Sequence, residues 1–201
     1  MVLSGSELIS LNADGDESSG ERAWAANTAY LGLSLFLATV TMLFAGFTSA
    51  ILVRRTASDW QPIPTPGLLW LNTALLLSSS LTMERMRVLA RQERWKAMRR
   101  WLLATALLGL LFLTGQIGAW QQLAARGLYL SSNPRSSFFY ILTGTHGVHL
   151  LGGLFALAYL LLRFLPGSPA PPRTTALNLC AVYWHFLDGL WIYLFVVLFV
   201  M

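Results

Sequence analysis

The sequence predicts an all-α fold, an integral membrane bundle of five transmembrane helices. Hydrophobic residues make up 55% of the 201 residues and charged residues only 11%, whereas an ordinary soluble domain has roughly 25% charged residues. The apolar residues also occur in long uncharged blocks, and about 20 of them in succession suffice to cross a bilayer as a helix. Both features favour one membrane domain over a large soluble core.

Five apolar blocks are candidate spans, and each is bounded by charges or helix breakers. Arg54 and Arg55 close the first uncharged run, which follows a polar, acidic extension, residues 1–28, that we expect to be flexible. The second block is short, and its helix is expected to continue into the headgroup layer, where long basic side chains reach water. The predicted membrane domain, residues 29–201, has spans at 29–53, 67–87, 101–125, 136–163 and 175–201.

The connections between the blocks contain residues that interrupt membrane helices. Prolines at positions 62, 64 and 66 separate the first two spans, and prolines at 166, 169, 171 and 172 separate the last two. A proline lacks the N–H group that a helix interior needs. Residues 84–100 are predicted to form a charged turn, and Ser131-Ser-Asn-Pro134 breaks the chain before the fourth span.

The distribution of basic residues predicts the orientation. Ten of the 14 Lys and Arg residues flank span ends on the side of the amino terminus, and four flank the other ends. The positive-inside rule therefore places the amino terminus in the cytoplasm and the carboxy terminus in the periplasm. Because the basic residues flank apolar blocks, the net charge of +5 and the pI of 9.9 indicate membrane topology and no nucleic-acid partner.

The spans contain four polar residues that are candidates for chemistry. His146 and His149, and likewise His185 and Asp188, are three residues apart, so each pair shares a helix face. An ionised Asp at the bilayer centre costs about 2.5 to 3.5 kcal/mol, so we expect Asp188 to face inward, protonated or paired, with His185 as the nearest candidate partner. An interhelical hydrogen-bond network is favoured, and a proton-handling or ligand-binding site is the alternative.

Metal and haem ligation are disfavoured because three histidines and the lone Cys180 supply too few donors. No catalytic site or metal site is therefore assigned to this chain. Glu84 is a candidate carboxylate for proton uptake, with a surface ion pair to neighbouring arginines as the alternative. A basic segment follows it and is a candidate for contacts with anionic lipid: Arg85, Arg87, Arg91, Arg94, Lys96, Arg99 and Arg100.

Three stretches carry a family resemblance. Residues 137–153, SFFYILTGTHGVHLLGG, resemble the histidine-bearing signature of haem-copper oxidase subunit III. Residues 183–195, YWHFLDGLWIYLF, resemble that family's final helix, and residues 71–80, LNTALLLSSS, resemble an earlier segment. The five spans fit the short bacterial form of cytochrome c oxidase subunit III.

The resemblance implies a non-catalytic core subunit of a bacterial terminal oxidase that reduces oxygen and pumps protons in the cytoplasmic membrane. Its partners would be the catalytic subunit I and subunit II, which would hold haem and copper, while this chain would hold neither. The resemblance also implies bound phospholipid, support of proton uptake and protection of the oxidase during turnover. It matches His146, His149, His185 and Asp188 to family positions.

The chain departs from the family at two positions. Val40 stands where the family often has a membrane-buried Glu, and a second frequent Glu is missing from residues 116–120. Two other functions stay open at this point. One is an accessory subunit of a nitric oxide reductase, which shares the signatures, and the other is an autonomous transporter or haem anchor, suggested only by the intramembrane His and Asp residues.

Overall fold

The structure, a computed structural model, describes the backbone of residues 5–60, 67–164 and 174–200 and the side chains of residues 24–60, 67–164 and 175–199. Five α-helices and no strand occur within these ranges, which agrees with the predicted all-α class. The helices are α1 (Gly5–Arg54), α2 (Leu68–Arg91), α3 (Trp95–Ala124), α4 (Pro134–Arg163) and α5 (Thr174–Val200).

Among the described residues, four helices are long and apolar enough to cross a membrane. They contain the segments Trp24–Arg54, Trp95–Ala124, Pro134–Arg163 and Thr175–Phe199. The helix α2 does not reach the same hydropathy, because Asn72, Thr73 and the serines at 78–80 interrupt its apolar run. The chain is therefore a membrane protein with four apolar helices, and a membrane-spanning α2 stays a prediction.

The predicted boundary between extension and membrane domain does not coincide with a helix start. The helix α1 already begins at Gly5, while residues 1–4 and the side chains up to residue 23 lie outside the described part.

The chain divides into two compact units, residues 1–39 and 40–201. In the first unit, the hydroxyls of Thr28, Ser34 and Thr39 donate to carbonyl oxygens four residues earlier in the helix. The proline-rich connections at 61–66 and 165–173 also lie outside the described residues.

The charged turn between α2 and α3 is shorter than predicted. Helix α2 continues to Arg91 and α3 begins at Trp95, so most of the predicted turn at 84–100 is helical, which corrects the prediction. Glu93, in the middle of the connection, has a φ of 56°. The reason for the difference is that Arg, Lys, Glu and Met are good helix formers, so a charge ends the apolar span without ending the helix.

The predicted break before α4 is the start of that helix, which a capping box and a proline define. The side chain of Asn133 accepts a hydrogen bond from the Ser136 backbone N–H at 2.9 Å, and the Ser136 hydroxyl reciprocates with the Asn133 backbone. Pro134 occupies the first turn, where its missing N–H costs nothing. This capping box fixes the start of α4. The connection from α3 is short, and the two helices pack against each other.

The main core lies between α2, α3, α4 and α5. Helix α2 packs on α3 and α5, and α4 packs on the same two helices. The largest fully buried side chains include Trp184 and Trp191 of α5, Phe112 of α3 and Met83 of α2. A smaller cluster joins the second half of α1 to α4 and α5 through Val40, Phe44, Ile51, Leu142, Leu194 and Val197.

Close packing against α5 leaves no room for a Cβ atom at Gly109 of α3. A Cβ atom added at Gly109 would lie 2.8 Å from Cη2 of Trp184 and 3.1 Å from Leu154. In contrast, a Cβ atom at Gly144 of α4 would lie at an ordinary 3.7 Å from Trp120. The indole of Trp184 is therefore seated against bare backbone.

We expect Gly109→Ala to lower the free energy of unfolding by about 1 to 3 kcal/mol relative to Gly144→Ala, since overpacking a filled core has this cost. Both variants gain the same helix propensity, so their difference isolates the contact with Trp184. The measurement is unfolding of the full chain in mixed micelles, and equal stability of the two variants would contradict the packing.

Candidate functional site

Hydrogen-bonding side chains of α2 contact the two helices on which it packs. Trp184 Nε1 donates to Ser79 Oγ at 3.0 Å, and Trp191 Nε1 donates to Thr73 Oγ1 at 3.1 Å. The hydroxyls of Thr82 and Thr105 are 2.8 Å apart. The two indoles are seven residues apart and so share one face of α5, and we call the α2 groups that bond to α5 and α3 the α2 stripe.

Beside this stripe, a second group of polar side chains from α2 and α5 is accessible from the outside of the chain. We call it the α2/α5 polar cluster: Ser80, Glu84, Arg87, Asn178 and His185. His185 Nδ1 lies 2.7 Å from Ser80 Oγ, and its Nε2 lies 3.6 Å from Glu84 Oε2. Arg87 donates to Glu84 at 2.9 Å and to Asn178 at 3.4 Å. The side chains of His185 and Glu84 are 34% and 51% exposed.

The contacts of His185 define how its ring can carry a proton. If Nδ1 accepts the hydrogen bond of the Ser80 hydroxyl, the neutral ring carries its proton on Nε2, which faces the Glu84 carboxylate. A protonated ring would instead donate from Nδ1 to Ser80 and form an ion pair with Glu84. The cluster can therefore hold a proton between a carboxylate and an imidazole.

Asp188 lies one turn further along α5 and is buried, with 4% exposure. Neither carboxyl oxygen has a hydrogen-bond partner among the described residues. The described hydrogen bond of the Ser80 hydroxyl is the one to His185. Asp188 thus faces inward, as expected.

The two histidines of α4 have different surroundings. His146 is fully buried against the rings of Phe112 and Trp191, at centroid distances of 5.8 and 5.1 Å, and neither ring nitrogen has a hydrogen-bond partner among the described residues. His149 Nδ1 lies 2.7 Å from the Thr145 carbonyl oxygen, and its backbone oxygen accepts from the Tyr183 hydroxyl. A network that joins His146, His149, His185 and Asp188 therefore stays a prediction, although His185 and Glu84 are brought together.

The predicted lipid-contact residues lie at the adjacent ends of α2 and α3. Arg87 and Arg99 are partly buried, and Arg85, Arg91, Arg94, Lys96 and Arg100 are exposed. Arg87 has a described ion pair, with Glu84. The charges of the exposed members of this set are available to anionic groups. Contact with lipid headgroups remains a prediction.

Metal binding has no structural support in this region. Within the described residues, no group of three His, Cys, Asp or Glu side chains is arranged to hold a metal ion. Two buried polar residues were not among the candidates from the sequence: Asn72 Nδ2 donates a hydrogen bond to Gln116 Oε1 at 3.4 Å. Their signal in the sequence was the recurrence of polar residues within apolar helices, which marks an interhelical contact.

Comparison with known proteins identifies the family. A family model described as "Cytochrome c oxidase subunit III" matches residues 17–201. The chain belongs to the cytochrome c oxidase subunit III family. A protein named "Probable cytochrome c oxidase subunit 3" from Nocardia farcinica is 36% identical over 174 residues, which is 84% of this chain and 86% of the relative.

Further subunit III relatives extend over the same part of the chain. A "Probable cytochrome c oxidase subunit 3" from Mycobacterium bovis is 34% identical and covers 86% of this chain and 88% of its own. A "Cytochrome c oxidase subunit 3" from Thermostichus vulcanus is 32% identical, with coverage of 85% and 86%. The matches therefore include both the α2 stripe and the histidine-bearing helices.

Val40, which the resemblance matches to a frequent buried Glu, lies in an apolar setting. Its side chain is 2% exposed and belongs to the small cluster with Phe44 and Leu142. Valine gains from burial in such a cluster, whereas an unpaired ionised carboxylate is costly to bury.

The bond between Ser80 and His185 can be tested with a neighbouring serine. Ser80→Ala in this subunit III chain should lower the free energy of unfolding by about 0.6 to 1.7 kcal/mol, the usual range for interhelical hydrogen bonds in membrane proteins. Ser78→Ala is the matched control, because the Ser78 hydroxyl bonds only to the carbonyl of Ala74 in its own helix. Unfolding in mixed micelles gives the comparison, and equal losses in the two variants would argue against the bond.

Proposed function

We propose that the chain is the non-catalytic subunit III of a bacterial haem-copper terminal oxidase in the cytoplasmic membrane. In this role it binds the catalytic subunit I, in a complex that includes subunit II, and those partners hold the haem and copper. The complex reduces oxygen in aerobic electron transport and pumps protons. Family membership supports this role, as do relatives named cytochrome c oxidase subunit 3.

We further propose that α2 is the fifth membrane span, with the amino terminus in the cytoplasm and the carboxy terminus in the periplasm. Its 24 residues extend about 36 Å at 1.5 Å per residue, which exceeds a hydrocarbon core of about 30 Å. Its Thr73, Ser79 and Thr82 hydroxyls bond to α5 and α3 and not to solvent, so its hydropathy understates its fit to a membrane. The basic ends of α2 and α3 then face the cytoplasm, where they bind anionic lipid.

The observation that carries the proposal is the exposure of the α2/α5 polar cluster. His185 lies ten residues into the segment Thr175–Phe199, about 15 Å along the helix and near the bilayer midplane. Exposed Glu, Arg and His side chains at this depth are expensive against lipid, so they face protein or a water-filled cavity. A partner subunit that covers this face accounts for the exposure, and subunit I is the partner that we propose.

The same cluster supports a role in proton uptake. Described contacts lead from the exposed carboxylate of Glu84 to His185 and on to Ser80, and buried Asp188 lies one turn further along α5. Carboxylate, imidazole and hydroxyl groups can each accept and release a proton. Glu84 is accordingly the residue that we propose as the carboxylate for proton uptake, and His146 and His149 as part of the packing between the helices.

The decisive experiment is gentle detergent purification through a tag on this chain, followed by an optical spectrum and identification of the accompanying polypeptides. Haem and a large haem-copper subunit should accompany the tagged chain, and the complex should consume oxygen. Consumption of nitric oxide in its place would make the complex a reductase. Purification of the chain alone, without colour, would refute the proposal.

Glu84→Gln tests whether the polar cluster contacts a partner. We expect the association with the haem protein to weaken by more than about tenfold in the tagged variant, because truncating one partner of a charge pair that an interface buries commonly costs about 2 to 5 kcal/mol. Glu93→Gln is the control, since Glu93 is exposed in the turn between α2 and α3 and has no ion pair with a described residue. Equal recovery of haem with both variants would count against docking through this face.

Asp188 can be tested by comparing an apolar with a polar replacement. Asp188→Leu should disturb assembly or sustained turnover, because it removes a buried carboxyl from the polar residues of α5. Asp188→Asn keeps the shape and a hydrogen-bonding group, so it should assemble better. The readout is haem recovery together with oxygen consumption over many turnovers, and normal behaviour of Asp188→Leu in both would show that the carboxyl is dispensable.

A further inference from the structure

Three buried polar side chains of α2, α3 and α4 have hydrogen-bonding atoms without a partner among the described residues. These atoms are Asn72 Oδ1, Gln116 Nε2 and both ring nitrogens of His146. The three residues are 0%, 2% and 0% exposed, so these atoms do not reach bulk solvent. Because buried polar groups in folded proteins bond almost always to protein atoms or to ordered water, these atoms indicate a ligand.

Gln116 and His146 lie opposite each other on α3 and α4. One turn before Gln116, the ring centroid of Phe112 is 5.8 Å from that of His146. One turn after Gln116, Trp120 Nε1 donates to Thr143 Oγ1 at 3.0 Å. Since Thr143 lies one turn before His146, the two contacts enclose Gln116 at the level of the imidazole.

Asn72 reaches the same level from α2. Its Nδ2 donates to Gln116 Oε1 at 3.4 Å. The next residue, Thr73, accepts from Trp191 Nε1, and the ring centroid of Trp191 is 5.1 Å from that of His146. The three polar side chains therefore meet between α2, α3 and α4, and we call them the core polar triad: Asn72, Gln116 and His146.

The unpartnered atoms of the core polar triad are a mixture of donors and acceptors. Asn72 Oδ1 can only accept a hydrogen bond, and Gln116 Nε2 can only donate. The imidazole of His146 adds one donor and one acceptor in its neutral form, which is the form that burial without a counter-charge favours. A cation would leave the donors unpaired and an anion would leave the acceptors unpaired. Water both donates and accepts, so it is the ligand that matches the set.

The packing beside the triad leaves space for a molecule of this size. A Cβ atom added at Gly144 or Gly147, on either side of His146, would meet α3 side chains at an ordinary 3.7 Å. A methyl group would therefore fit at each position, and a water molecule is about as large. At Gly115 the space is instead taken, because a Cβ atom there would overlap Asn72 Oδ1.

We infer that the core polar triad binds internal water between α2, α3 and α4. The water accepts from Gln116 Nε2 and donates to Asn72 Oδ1 and to the acceptor nitrogen of His146, so it bridges three helices that these atoms do not join directly. Bulk water is not adjacent, since His146 lies about 18 Å along the helix from the start of the segment Pro134–Arg163. The inference goes beyond the proposed oxidase role and does not depend on it, because this chain alone forms the site.

The first test compares the two buried indoles of α5 by X-ray radiolysis. Radiolysis of bound water yields hydroxyl radicals, which oxidise the nearest side chains. Trp191 and Trp184 are 1% and 0% exposed and each donates to a hydroxyl of α2, but Trp191 is the indole that contacts His146. The full chain is irradiated in the assembly with which it purifies, and oxidation is mapped by peptide mass spectrometry.

We expect oxidation of Trp191 to exceed that of Trp184 several-fold. Equal oxidation of the two indoles overturns the inference. Absence of haem from the preparation would refute the oxidase role without affecting this comparison, because both indoles lie in the same chain.

The second test removes the polar atoms of the triad. Asn72→Leu combined with Gln116→Met replaces both amides by apolar groups, so oxidation of Trp191 should fall to the level of Trp184. Oxidation of Trp191 that stays high in this double variant would come from solvent that enters the bundle, and this also overturns the inference. If the double variant does not fold, the comparison of the two indoles in the wild type decides.

Thr105→Val is the matched control for the double variant. Thr105 is also a buried polar residue of α3, but its hydroxyl is bonded to Thr82 and to the Trp101 carbonyl oxygen. Its replacement should leave the excess oxidation of Trp191 unchanged. An equal fall in the control would mean that any loss of a buried polar group in α3 has this effect, which contradicts a water site at the triad.

Discussion

The structure depends on one constraint: the polar groups of α2 must find their partners inside a helical bundle that lipid surrounds. Water cannot hydrogen-bond to side chains within the hydrocarbon, so each group is satisfied by a neighbouring helix or becomes costly. Helix α2 meets this requirement with Thr73, Ser79 and Thr82, which bond to α5 and α3. It thereby sets the positions of the two helices on which α4 also packs.

The partners of this stripe explain the tight packing of the core. Two indoles of α5 act both as bulk and as hydrogen-bond donors, and Trp184 lies against the bare backbone of Gly109. Phe112 and His146 pack on the other indole, Trp191. Because each of the two indoles is held by a hydrogen bond as well as by packing, the helices can approach in few alternative registers.

The polar residues of the membrane domain fall into two groups with different meaning. Asn72, Ser79, Thr105 and His146 are fully buried, so their role is within the bundle. The α2/α5 polar cluster remains partly exposed, and this exposure is the basis of the proposed contact with a partner subunit. Val40, in contrast, is an apolar side chain in an apolar cluster.

The sequence by itself determined the helical class, four of the five predicted spans as apolar helices, the break at Asn133-Pro134 and the family, because these follow from local composition and from motifs. It did not determine that helix continues through most of residues 84–100, since charge ends a membrane span but favours a solvated helix. It also paired His185 with Asp188 by spacing, whereas the bundle brings His185 to Ser80 and Glu84 on α2. Only the tertiary structure decides such contacts, because spacing along one helix says nothing about which helix lies opposite.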